Sequence, residues 1–449
     1  MSTKSTKYTA KTVAVGSAAA LILALAACSD DSDGSDGSTG SMTSGSSSTS
    51  STSDMDDMTD STMDEHSGHG SGGDITPVST GDPFADAMTA ASHMPMTGQT
   101  LADGIVASAG IDGDPDSDAA TLHADLASNL QEHVYLAGMA GATAYTEGAD
   151  SDAFAAASDA LDANAVALAD MVATIDPDKR DAVLELWRDH IGYFVDYATA
   201  AKEGDEAAKA AAQDDLTQYT VDAGEAFSGL SQGVIDAGEA TEGLQHHVDS
   251  LSQAIDALAA GDTAAYGDLH AAASHGGDFI ATLASGLAEG NDIEGDATDD
   301  AATLRVTLAT GLQEHVYLAG VAVFTAYTTE GGTDSEAFAA AADTLDHNSM
   351  ALSEAVGSVA GEEKGEEFLA LWREHIGYFV DYANALATDD TAAADEALEN
   401  LDGYRPQAGE FFAGITDGEL DADELAEGLA GHISTVAGTI QSLKDALVD

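Results

Sequence analysis

From about residue 82 onward, apolar positions recur at the three-and-four spacing of α-helices, and no segment sustains the period-two alternation of a strand. Leu126, Leu130, His133, Ala137 and Ala144 share one stripe. Val183, Trp187, His190, Phe194 and Tyr197 share a second, and Leu425, Leu429, His432, Val436, Ile440 and Leu443 a third. The pattern predicts an all-α fold, with helices at roughly 84–109, 118–147, 152–174, 177–203, 206–230 and 239–260. Asp176-Pro177 reads as an N-cap followed by proline at the first helical position, and Gly204-Asp205 as a stop. Asp421 with Glu424 reads as a capping-box-like start of the last helix.

The pattern occurs twice. LWRDHIGYFVDYA at Leu186–Ala198 returns as LWREHIGYFVDYA at Leu371–Ala383, with Glu374 standing where the first copy has Asp189. The offset is 182 residues at His133/His315 and 185 at Trp187/Trp372, Tyr219/Tyr404 and His247/His432. Two tandem homologous helical-bundle modules follow, about 82–263 and 264–449, each of about six helices. Gly261-Asp262 is a short connection between antiparallel neighbours. The first helix, 84–109, and the last, 422–448, lack such a neighbour, and are expected to pack on each other and close the body.

Residues 1–28 read differently. Lys4, Lys7 and Lys11 precede an apolar run, Val13–Ala27, that ends at Leu25-Ala26-Ala27-Cys28. This resembles a bacterial lipoprotein signal, with Cys28 as the lipidated mature N-terminus. Acyl chains there would anchor the protein on the extracytoplasmic face of the cell membrane. Cys28 is the only cysteine, which rules out an intramolecular disulfide. Residues 29–81 are rich in Ser, Asp, Gly and Thr and are expected to form a disordered tether. It carries Met55, Met58, Met63, His66 and His69, residue types that suit copper.

The formal net charge of −68 argues against nucleic acid and anionic lipid surfaces as partners. The acids are spread along the chain, as on the solvated surface of a halophilic protein; a cation-attracting field is the other reading.

Each module offers four histidines from four helices: His93, His133, His190 and His247, then His275, His315, His375 and His432. Spacing puts most of them on buried faces, with His93 and His275 near the edge of their stripe. Imidazoles converging from facing helices build metal or haem sites in bundle cores, and neutral histidine ligates copper, zinc or haem iron. Met88 aligns with His270, and Met94 and Met96 flank His93, so the first module is expected to carry the better soft-metal site. Asp196 and nearby tyrosines are candidates to orient the ligands. The competing reading is of core histidines bonded to tyrosines, carboxylates or carbonyls.

Signals of catalysis are missing from the sequence. It has no HExxH, no paired Glu-x-x-His and no Gly-rich phosphate loop. Ile111–Leu122, IDGDPDSDAATL, lacks the glycine and closing glutamate of an EF-hand and reads as a helix-capping loop.

The blocks QEHVYLAG (Gln131–Gly138 and Gln313–Gly320) and LWR[DE]HIGYFVDYA resemble a family of secreted bacterial all-helical proteins and lipoproteins. That family carries copper-related labels, including copper amine oxidase N-terminal-like. The resemblance spans both modules and implies copper as the ion; it carries over no residue roles and no oxidase activity. The expectation is a cell-surface, non-enzymatic lipoprotein that binds a metal ion. Copper comes first and zinc or haem are alternatives. An envelope protein with structural histidines and a protein partner is the other reading.

Overall fold

A computed structural model describes residues 75–274 and 276–448. Cys28, the tether methionines and histidines, and His275 lie outside the described residues. The fold is all-α, with no strand among the described residues.

The helices of the first repeat are α1 (Pro83–Ser92), α2 (Met94–Ala109), α3 (Asp118–Thr146), α4 (Asp152–Ile175), α5 (Arg180–Glu203), α6 (Glu206–Leu230) and α7 (Ala237–Ala260). Those of the second are α8 (Ala264–Ser274), α9 (Gly277–Gly290), α10 (Asp300–Thr328), α11 (Glu336–Ala360), α12 (Glu362–Ala387), α13 (Thr391–Ile415) and α14 (Ala422–Leu447). The predicted helix at 84–109 is thus two. Pro95 sits at the start of α2, where its ring and missing N–H forbid continuation from α1. The second repeat breaks at the matching place, before Gly277. The predicted start at Pro177 is also displaced. Asp176–Lys179 forms a turn closed by Lys179 N–H to Asp176 O at 3.0 Å, and α5 begins at Arg180. Asp421 caps α14 as expected, accepting from Asp423 N and Glu424 N.

The two repeats exchange their opening helices. α3–α7 form one bundle and α10–α14 another, with α3 and α10 side by side at the centre. α1 and α2 pack on α14 and α10, in the other repeat; α8 and α9 pack on α7 and α3. Gly98 makes the closest of these crossings possible, since a Cβ there would lie 2.5 Å from the Ala309 backbone nitrogen. The expected meeting of the chain's two ends is present, and Val78 N–H donates to Ser434 O at 2.9 Å.

The exchange is reciprocal to the level of single bonds. Ala119 N–H donates to Glu294 O at 2.9 Å and Ala301 N–H to Asp112 O at 3.2 Å. His123 Nδ1 contacts Ala297 O at 2.6 Å, and Arg305 Nη1 donates to Pro115 O at 2.6 Å. The Asp-rich loop is a capping loop, with Ser117 accepting from Ala120 N at 3.2 Å. No helix of the described residues is long and apolar enough to cross a membrane.

Candidate metal centre

α3 carries Glu132 and His133 as consecutive residues, about 100° apart around the helix. Glu132 therefore faces the other repeat while His133 faces its own bundle. α5 brings His190 and α7 brings His247 to the same point. α10, α12 and α14 repeat this with His315, His375 and His432. Within each group one ring nitrogen per histidine lies within 4.8 Å of the others. Nε2 of His133 is 3.2 Å from Nε2 of His190, and Nε2 of His315 is 3.3 Å from Nε2 of His375. Two nitrogens at ordinary metal–nitrogen distance on a tetrahedral ion stand about 3.3 Å apart.

Aromatic rings wall both centres. Tyr219 stacks on His190 at 4.3 Å between centroids, and Tyr404 on His375 at 4.7 Å. Trp187 and Trp372 stand edge-on to His190 and His375. Such surroundings penalise charge. Burial holds His133 down to about 3, with the nearby His247 adding repulsion, and holds His247 at about 4. His315 is held at about 3 and His432 at about 4, again chiefly by burial. Burial and neighbouring imidazoles push His190 and His375 well below the ordinary histidine value. All six rings are neutral at pH 7, the state that ligates metal.

The remaining nitrogens are poorly served by protein. Trp187 Nε1–H reaches His133 Nδ1 at 3.3 Å. His190 Nδ1 is buried without a hydrogen-bond partner. In the second centre, Nδ1 of His315, His375 and His432 and Nε1 of Trp372 are buried without a hydrogen-bond partner.

The other sequence candidates distribute differently. His93 is exposed at the α1–α2 junction, and its charge acts on His432, across the repeat boundary. Met94 is buried at 3% exposure, Met88 packs against the core and Met96 is 65% exposed. The helix exchange carries the His93–Met96 segment toward the second repeat, so these thioethers do not favour the first centre as the sequence suggested. His270 joins neither triad: its Nδ1 is 3.1 Å from Glu314 Oε1. That bond raises the His270 proton affinity, and hydrogen bonds from His270, Asn348 and Tyr135 outweigh burial to lower that of Glu314. Asp196 has no place beside the triads; Trp187, Tyr219 and their repeats line them instead. The matched Tyr219/Tyr404 pair was a usable signal for these walls.

Comparison of the chain with protein families, characterised proteins and solved structures found no match.

Proposed function

We propose that this protein binds metal ions in two buried tri-histidine centres, His133/His190/His247 and His315/His375/His432, and that the ion is copper in its monovalent state. The observation that carries this reading is the duplicated approach of Nε2 atoms at 3.2 and 3.3 Å, the spacing two ligands adopt on one ion. Copper(I) is favoured by charge. Each group is built from neutral imidazoles alone, so the full ionic charge is buried without a carboxylate to offset it. The cost of burying an ion grows with the square of its charge, which favours a monovalent ion over zinc(II) or copper(II). Haem fits poorly, because the ligating nitrogens crowd within 4.8 Å and leave no plane for a macrocycle between them.

The Trp187–His133–His190 chain favours a second reading for the first centre. Trp187 donating to His133 Nδ1 leaves the His133 proton on Nε2, where it can bond His190 without any ion. We place the protein on the extracytoplasmic face of a membrane, anchored at Cys28; this rests on the leader sequence.

Metal content of the full chain, purified without a histidine tag and reconstituted with Cu(I) under reducing conditions, separates the readings. Two ions per chain are expected, one lost in His133/His190/His247→Ala and the other in His315/His375/His432→Ala. No stoichiometric copper, with the variants merely less stable, would make the histidines core residues.

A further inference from the structure

The two centres differ in what stands before them. A cavity of about 310 Å³ is lined by His133, His190 and His247 together. Trp187, Leu244 and Phe279 form apolar walls, and the exposed His246 and Asp278 stand at the rim. His247 is only partly buried, whereas its counterpart His432 is 5% exposed. A cavity beside the second triad is about 30 Å³ and touches His315 alone of the three, and His315, His375 and His432 are all buried, at 5% exposure or less. Such a cavity has room for little more than one water. Gly276, which lines the larger cavity, has the buried Met94 as its sequence counterpart in the first repeat.

We propose that an ion held by His133, His190 and His247 keeps one coordination position open to this cavity and takes there a small, uncharged, monodentate donor from solution, while the second centre is closed. The inference rests on the metal reading above. Three protein ligands with a vacant position are the arrangement of a reactive metal centre, and a fully enclosed ion that of a structural one. The cavity lies at the lower end of the ligand-pocket range, which limits the guest to a small molecule. Apolar walls select against charged guests. Asp278 at the rim and a net charge of −68 further exclude anions. His246 has Gly431 as its counterpart, so the second centre lacks an imidazole at that position.

Carbon monoxide is the probe, because it is neutral, monodentate and gives an infrared band when bound to Cu(I). The Cu(I)-loaded full chain is exposed to CO, and bound CO is counted against copper. One CO per two coppers is expected, abolished by His190→Ala and retained in His375→Ala. Ala272 lines the cavity and is not a ligand; Ala272→Phe, which fills the cavity, is expected to reduce uptake at least tenfold with copper content unchanged. Copper bound without CO, CO on both ions, or full uptake by Ala272→Phe would overturn this proposal and leave the metal reading standing. A chain that takes up no copper sinks both.

Discussion

Tyr317 of α10 donates its hydroxyl to Glu132 of α3 at 2.6 Å, and Tyr135 of α3 donates to Glu314 of α10 at 2.8 Å, the two rings stacking at 5.4 Å between them. This crossed pair joins the two bundles at their centre, where both carboxylates are buried. The halves are unequal. Glu314 also receives His270, Ser274 and Asn348, while burial raises the proton affinity of Glu132, with Tyr317 and Asn164 its side-chain donors. Removing one donor from a buried acceptor costs about 1–3 kcal/mol when nothing replaces it. Tyr317→Phe is therefore expected to destabilise by about that amount and Tyr135→Phe by less, read from urea unfolding midpoints. Equal losses would mean that the two carboxylates are equally served.

His270 stands where the first repeat has Met88. Its proton affinity is raised by Glu314, so its contribution is full below the ordinary histidine value and fades as pH climbs above it. Glu314 is lowered, so its contribution is full above the ordinary carboxylate value and fades as pH drops below it. The pair is thus strongest between the two, from about pH 4.5 to 6.5. His270→Met, copying the first repeat, is expected to lower stability most within that window and least near pH 9. A pH-independent loss would assign the effect to packing.

The triads give the opposite trend. Their histidines stay neutral when folded, down to about 3 for His133 and His315 and about 4 for His247 and His432. Below 6.5 the unfolded chain takes up protons that the folded chain refuses, so stability falls with falling pH. Each such histidine contributes a slope of up to about 1.4 kcal/mol per pH unit, and six acting together outweigh the single His270–Glu314 pair. Denaturation of the metal-free protein at pH 7.5, 6.5 and 5.5 is expected to show a progressively steeper loss. Bound metal should delay it, since an ion competes with the proton for the same nitrogen.

Trp187 offers a way to read the tautomer. Ligation through His133 Nε2 moves the ring proton to Nδ1, where Trp187 Nε1–H now faces it donor to donor. Trp187→Phe removes that opposition and is expected to tighten Cu(I) at the first centre several-fold in a chelator competition. Trp372→Phe, whose Nε1 has no hydrogen-bond partner, should leave the second centre unchanged. Weaker binding in Trp187→Phe would show that the indole supports the loaded state.

Much of this was legible in the chain itself. The helical stripes named His133, His190 and His432 as buried, and the matched offsets carried the reading to His315, His375 and His247. Periodicity says which face of a helix is buried, but not against which partner. That is why the sequence grouped His93 and Met94 with the first repeat: it read 84–109 as one helix, and neither the break before Pro95 nor the crossing at Gly98 that carries the segment onto α10 is written in the periodicity. Glu132 and Glu314 lie inside the repeated QEHVYLAG block, each directly before a triad histidine. A charged residue at a buried helix position is the signal that points to an interface partner there.

Because α1–α2 cover α10 and α14, while α8–α9 cover α3 and α7, neither half of the chain is a finished object. The arrangement is that of two subunits that trade arms, carried on a single chain through Gly261 and Asp262. A gene encoding one repeat would yield a subunit that completes itself only by finding a second copy. Carried on one chain, each half always has the other at hand, so the completion of either bundle does not depend on protein concentration.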